Sequence, residues 1–446
     1  MAQKTKSGWG PFAGRTHRPE AGSSGRQSSG AQQGASQGST GGKRGKALLD
    51  AQARLLLAVN GLFAAASALS GTYVSVYLWK VKNDFSLIGW FTFFSHLTMA
   101  LTFWIAGKWA KERNKMNVLR TGVAVSAVFY LLVLLLGTAS ASYAVLLGAV
   151  QGLANGLFWL AFNVVYFEVT DPDNRDRFNG YSGLLGSGAG ILAPWLSGWL
   201  ITRLGGETGY RLIFSLSLGV FVVGVVVSFF LRKKKLPGSY AWLQAFTSLK
   251  ESGSSWRLAL PALVSQGMRE GVFGFIIGLL IFIATQSEMS LGNFSLITSA
   301  VGLVSFMLVG RFLKPEYRKW GMLIGVVMMV LVIVPFFWKL NYVTLLIFGV
   351  GVALFMPLYT VPMTSAVFDL IGSSEESAKL RVEYIVMREL GLNTGRMIGT
   401  LVFVAVISQS AAQQTVNWLL LGIGSSPIAA WLFMRRLLTP RVQKAE

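Results

Sequence analysis

Apolar runs close to the ~20 residues a helix needs to cross a ~30 Å hydrocarbon layer recur from Leu55 almost to the end of the chain. Water offers such a chain no stable core. Hydrophobic residues make up 53% of it and charged residues 13%, about half the charged share of a soluble globular domain. The runs sort into spans at 55–79, 86–107, 118–138, 143–167, 180–202, 209–231, 258–284, 291–310, 321–338, 343–368, 385–408 and 416–434. Backbone exposed to lipid must satisfy its own polar groups, so each span is read as a helix. The expected fold class is an all-α integral membrane protein with twelve transmembrane helices.

A net charge of +21 suggests nucleic acid until the position of each cation is considered. With a cytoplasmic N-terminus, thirty-two of the forty Lys and Arg fall in inner segments. Lys80, Lys82, Arg203, Arg211 and Lys339 lie outside, and Arg269, Arg388 and Arg396 lie within spans. This is the positive-inside distribution of a multi-pass protein of the cytoplasmic membrane, with both termini cytoplasmic. The basic residues are loop anchors in contact with a lipid bilayer, and nucleic acid is not an expected partner.

The chain has no cysteine, which removes disulfides and thiolate metal sites, and its two histidines, His17 and His96, cannot build a metal site together. No metal or cofactor is expected. Residues 1–46 are rich in Gly, Ser, Gln and basic residues, and read as a disordered basic cytoplasmic tail. That tail lacks the apolar stretch beside a small-residue cleavage site that a secretory signal requires, so the first span reads as uncleaved.

The longest inner connection, 232–257, opens with Arg232-Lys233-Lys234-Lys235 and Pro237-Gly238. It separates six spans (47–231) from six (258–436), with a cytoplasmic tail at 437–446. Within it Trp242, Phe246 and Leu249 recur at helical spacing, which predicts a short amphipathic helix on the membrane surface. The two halves also match each other at an offset near 203 residues. Asp84-Phe85-Ser86-Leu87 answers Glu288-Met289-Ser290-Leu291, Gly107-Lys108-Trp109 answers Gly310-Arg311-Phe312, and Phe167-Glu168 answers Phe368-Asp369. A duplicated six-span unit, giving two six-helix bundles, accounts for the common offset.

Three local segments, within twelve spans, make the chain resemble the major facilitator superfamily. Between spans two and three, Gly107-Lys108-Trp109-Ala110-Lys111-Glu112-Arg113-Asn114-Lys115 keeps the family's first Gly and basic loop, with Lys111 at the family's Asp position and Asn114 at its second Gly. In span four Gln151-Gly152 is present, but Gly148 stands where proton-coupled members carry an Arg. In span five Gly180, Ala189, Ala193-Pro194 and Ser197-Gly198 follow the register of the family's exporters. Small residues allow close backbone approach, and Pro194 bends the helix, which suits a moving contact between half-bundles. Gly391, Gly395 and Gly399 put a comparable stripe on span eleven. The resemblance implies a gating role for Gly107, Lys111 and Arg113 and a packing role for the span-five residues.

An ionised group at the bilayer centre costs several kcal/mol unless it is paired or hydrated, so charges inside spans point to function. Arg269 and Glu270 lie 11 and 12 residues past Leu258, roughly 16–18 Å deep, and Arg396 reaches a similar depth. Arg388 and Glu389 lie nearer the inner face. Glu389, Asn393 and Arg396 follow at helical spacing as one polar stripe, toward protein or cavity. Adjacent Arg269 and Glu270 point about 100° apart, so the expected pairs are Glu270 with Arg396 and Arg269 with Glu389. His96, Asn60, Gln151 and Asn155 are further candidate cavity groups. Pro357 and Pro362 break or kink span ten.

Neither a phosphate-binding Gly-x-x-x-x-Gly-Lys loop nor a loop long enough for an ATPase domain occurs, and no nucleophile with its base shares a depth, so an enzyme is not expected. The expected function is secondary transport of a small molecule by alternating access, coupled to protons or another ion, with export of a drug-like or amphiphilic compound as the direction that span five implies. An uptake carrier for a sugar, peptide or organic anion, and a transport-inactive scaffold or sensor, are the alternatives.

Overall fold

Short polar residues start the helices where turns are tight. Asp50 accepts a hydrogen bond from the Ala53 N–H at 2.6 Å, Asp84 from Ser86 at 2.8 Å, Asn114 from Met116 at 3.0 Å and Ser287 from Ser290 at 3.2 Å, each satisfying a first-turn donor. A computed structural model describes residues 49–170, 175–232, 239–251, 253–371 and 379–439. The tail at 1–46, the stop at Lys233 to Gly238 and the end beyond residue 439 lie outside the described residues.

The spanning helices are α1 (Ala51–Lys82), α2 (Phe85–Lys108), α3 (Lys115–Leu136), α4 (Ala144–Val169), α5 (Arg175–Leu204) and α6 (Gly206–Ser228). After the linker come α7 (Trp256–Thr285), α8 (Glu288–Phe312), α9 (Arg318–Leu331), α10 (Tyr342–Ile371), α11 (Arg381–Ile407) and α12, which runs as Gln413–Gly424 and then Ser426–Met434. Eleven helical stretches among the described residues are long and apolar enough to cross a membrane. One of them, Phe85–Ala141, has 57 residues and contains both α2 and α3, so the twelve expected crossings are present. Each of those two helices, at 24 and 22 residues, is ~33–36 Å long and sufficient for one crossing.

The join between α2 and α3 is not an open loop. Trp109–Asn114 continues the chain as a π-helix, whose wider turn rotates Lys111 inward until it is buried. Corresponding helices of the two halves end alike: α1 and α7 both end on a non-glycine residue in the left-handed region, Asn83 (φ 49°) and Gln286 (φ 51°), and the next residue of each caps the following helix. Asn83 tolerates that conformation better than most residues, and in both halves the left-handed residue reverses the chain within two residues.

Helices α1–α6 pack among themselves, as do α7–α12, and the two bundles meet chiefly along α2 against α11 and α5 against α8. Close crossings are made by glycine. A Cβ on Gly148 or Gly152 of α4 would overlap the α2 carbonyls of Phe91 or Ser95. The absence of an Arg at position 148 therefore has a steric cause. On α11, Gly395 and Gly399 lie against the carbonyls of Val264 and Met268 of α7, while Gly267 and Gly271 of α7 lie against those of Leu392 and Arg396. Backbone-to-backbone approach of this kind is the usual means of joining helices in lipid, where no hydrophobic force drives them together.

Two expectations change. Pro357 and Pro362 do not break the tenth span; α10 runs through both, because one missing N–H donor leaves the neighbouring turns intact. Among its described residues the linker forms one helical turn, Gln244–Thr247. Its aromatic residues pack on protein, with Trp242 and Phe246 each 5.8 Å from Trp104 of α2, so they are held by α2 and do not form a membrane-surface helix.

Candidate functional site

The glycine crossing of α7 with α11 brings two depth-matched charges together. Arg396 Nη2 and Nε donate to Glu270 Oε2 at 2.8 and 3.2 Å, and Gln266 Nε2 donates to Glu270 Oε1 at 2.7 Å. Arg396 Nη1 also donates to Asn393 Oδ1 at 3.2 Å, and Asn393 Nδ2 donates to the Glu389 carbonyl at 2.9 Å. The stripe Glu389, Asn393 and Arg396 thus lies on one face of α11, as the spacing predicts. Both oxygens of Glu270 are occupied.

The other expected pair does not form. Glu389 is bound by its chain neighbour Arg388 and stands 4.0 Å from Arg396, so Arg269 does not reach it. A long Arg side chain can turn back on the next residue, a contact that helical-face counting overlooks. Arg388 also covers the Phe368 ring at 5.4 Å. Arg269 is buried, with its Cζ 4.6 Å from the Phe273 ring centre and with Nε and Nη2 lacking any hydrogen-bond partner among the described residues.

Arg269, Glu270, Arg396 and His96 line one cavity of about 700 Å³. Apolar walls come from α7, α8 and α10, including Phe273, Ile277, Phe294, Phe348, Val352 and Met356. Thr72 of α1 and His96 of α2 close it from the first bundle, and His96 Nδ1 has no partner among the described residues. This volume fits a drug-sized ligand. Asn60, Gln151 and Asn155 do not line it: Asn60 is buried and donates to Ser182 of α5 at 3.0 Å, which fastens α1 to α5.

Around the cavity the bundles are joined unevenly. Away from the linker, Glu288 at the start of α8 accepts from Lys80 at 2.7 Å and Tyr210 at 3.0 Å. Tyr73 donates to the carbonyls of Pro194 (2.7 Å) and Glu288 (3.3 Å). Gly198 lies 2.5 Å, measured from the position of a Cβ, from the Glu288 carbonyl, and Ala193 is buried nearby. Ser299 of α8 then donates to the Gly190 carbonyl at 3.1 Å. Nearer the linker Gly180, Gly183, Gly186 and Gly188 face open space. Only the far half of the span-five pattern therefore makes a bundle contact, and Gly180 does not. The cavity extends along α8 from Leu291 to Phe306, which is 47% exposed.

The α2–α11 seam is closed at the linker side by an ion pair. Lys111 Nζ lies 2.5 Å from Glu383 Oε1 in the first turn of α11, with side chains 7% and 2% exposed, and 3.3 Å from the Lys379 carbonyl. Linker backbone completes it: the Ala241 N–H donates to Glu383 at 3.2 Å and the Tyr240 N–H to Glu112 at 2.8 Å. Burial, and then the neighbouring Glu383, push the Tyr240 phenol above its ordinary value, so it stays neutral against Gly107. Glu383 escaped the sequence reading. The signal was available: a Lys at a position where the resemblance places an Asp asks for an acidic partner across the seam. Arg113 is exposed and takes no part in this pair.

The profile of the family described as Major Facilitator Superfamily matches residues 55–375. "Uncharacterized protein YqgE" of Bacillus subtilis (strain 168) is 41% identical over 353 residues, which covers 79% of this chain and 82% of that one. "Multidrug transporter protein MdtP" of the same organism is 25% identical over 181 residues, 39% of this chain and 32% of that one. The crystal structure of a D-xylose-proton symporter superposes with a TM-score of 0.65 at 14% identity, covering 88% of this chain and 98% of that one, which is a likeness of fold.

Proposed function

The chain belongs to the major facilitator superfamily, and from that premise we propose that it is a proton-coupled secondary transporter that exports an amphiphilic small molecule across the cytoplasmic membrane by alternating access. The observation that carries the coupling is a carboxylate, Glu270, held by Arg396 and Gln266 at the wall of a cavity between the bundles. A rigid-body shift that withdraws Arg396 leaves that carboxyl in a largely apolar wall, where it must take a proton or a new partner. The same shift opens one end of the cavity and closes the other. Lys111–Glu383 and Lys80–Glu288 are suited to act as the two gates, because each crosses from the first bundle to the second. Export is supported by the span-five pattern and by the similarity to a protein named a multidrug transporter. The excess of Lys and Arg in the linker and in the loops on its side supports a cytoplasmic placement of that end.

The test is transport by purified protein in proteoliposomes with an imposed pH gradient, using a panel of fluorescent cationic, neutral and anionic compounds. The parent should concentrate at least one of them. Glu270→Gln, which keeps size and hydrogen bonding but cannot titrate, should retain exchange down a concentration gradient and lose gradient-driven accumulation. Full concentrative transport by Glu270→Gln would remove Glu270 from the coupling role.

A further inference from the structure

Arg269 is a buried cation that forms no ion pair among the described residues. It is 7% exposed, and neither Nε nor Nη2 has a hydrogen-bond partner among the described residues. The two nearby carboxylates are already committed: Glu270 to Arg396 and Gln266, and Glu389 to Arg388 with Arg396 at 4.0 Å. Three guanidinium groups thus share two carboxylates, leaving one positive charge in excess. Beside it lie the Phe273 ring at 4.6 Å, the already committed Glu270, and the buried Tyr359 hydroxyl, which has no hydrogen-bond partner among the described residues. A cation–π contact recovers only part of the cost of taking an ion out of water. The Arg269 side chain is therefore under-compensated, and it lies in the wall of the 700 Å³ cavity.

The groups around it define what would restore the balance. Across the cavity, His96 presents an Nδ1 without a partner among the described residues. Ser295 of α8 adds a hydroxyl, those of Thr298 and Ser299 already donate to the carbonyls of Phe294 and Gly190, and the remaining wall is aromatic and aliphatic. We infer that the cavity takes an amphiphilic organic anion whose carboxylate or sulfonate pairs with Arg269 while its apolar body lies against Phe273, Phe294 and Phe348. A planar guanidinium is well suited to hold such a group through two parallel hydrogen bonds. This inference rests on the transporter reading given above. It narrows that reading from an amphiphile to an anion.

The experiment compares dansylglycine, a carboxylate, with dansylglycinamide, its neutral counterpart, by fluorescence titration of the full chain in nanodiscs of phosphatidylcholine alone, so that no anionic lipid competes. The parent should bind the carboxylate at least tenfold more tightly than the amide. Arg269→Gln should lose that discrimination through a fall of at least tenfold in carboxylate affinity that exceeds any change for the amide, and Arg269→Lys should keep part of it. A residue needed only for packing would move both affinities together. Equal affinities for the two probes in the parent, no binding of the carboxylate, or discrimination that survives Arg269→Gln would each overturn the inference. Because parent discrimination is measured independently, a variant that fails to fold does not remove the test. The measurement is at equilibrium without a gradient, so failure of Glu270-dependent coupling in proteoliposomes leaves it untouched, and the two readings fail separately.

Discussion

Removing the Lys111 charge should open the linker-side end of the α2–α11 seam. In Lys111→Met the stem remains but the ammonium 2.5 Å from Glu383 is lost, leaving that carboxylate 2% exposed with only the Ala241 N–H, at 3.2 Å, to satisfy it. At 2.5 Å and an effective dielectric near 20 the gross attraction is roughly 6–7 kcal/mol, most of it offset by desolvation of the two ions. Breaking one side of such a buried pair costs about 3–5 kcal/mol, since the surviving charge stays desolvated. That penalty applies only where the ends are closed, because parting them returns Glu383 to water. The equilibrium should therefore move toward the open end by between about a hundredfold and a few thousandfold. The chain has no cysteine, so spin labels can be placed uniquely at exposed Arg113 and Lys379, which flank the pair from opposite bundles. Pulsed dipolar spectroscopy should show the distance distribution moving to longer values in Lys111→Met. It should return toward the parent in Lys111→Met/Glu383→Gln, where no buried charge is stranded, and in the reversed pair Lys111→Glu/Glu383→Lys. A distribution unchanged by Lys111→Met would refute the assignment of this pair as a gate.

The Glu270–Arg396 pair should show non-additive stability. Arg396→Ala should lower the detergent melting temperature more than Glu270→Gln, because it strands a half-buried carboxylate, and the double variant should recover part of the loss without regaining coupling. Orientation is checked with single cysteines: one at exposed Ser142 should react with an impermeant thiol reagent from outside intact cells, and one at exposed Glu251 of the linker should react only after permeabilisation. The reverse labelling pattern would invert the topology.

Properties that depend on one stretch of chain at a time were legible in the amino-acid sequence. Span length and apolar content give twelve crossings, and the placement of Lys and Arg gives an expected orientation, because lipid acts on each helix according to its own composition. The near-203-residue offset pairs Asn83 with Gln286, and both take the left-handed conformation. Even the Glu270–Arg396 contact could be anticipated, since two charges stranded at one depth have few other partners. Tertiary structure decided the remaining pairings, which depend on angles and rotamers that local sequence does not specify. Arg388 captured Glu389 and left Arg269 without an ion pair among the described residues. A π-helical turn carried Lys111 from an expected loop into a buried contact with Glu383. The glycines of α5 look equivalent in sequence, yet α8 approaches only the half away from the linker, and that unequal approach leaves the cavity beside Arg269 extending toward Phe306.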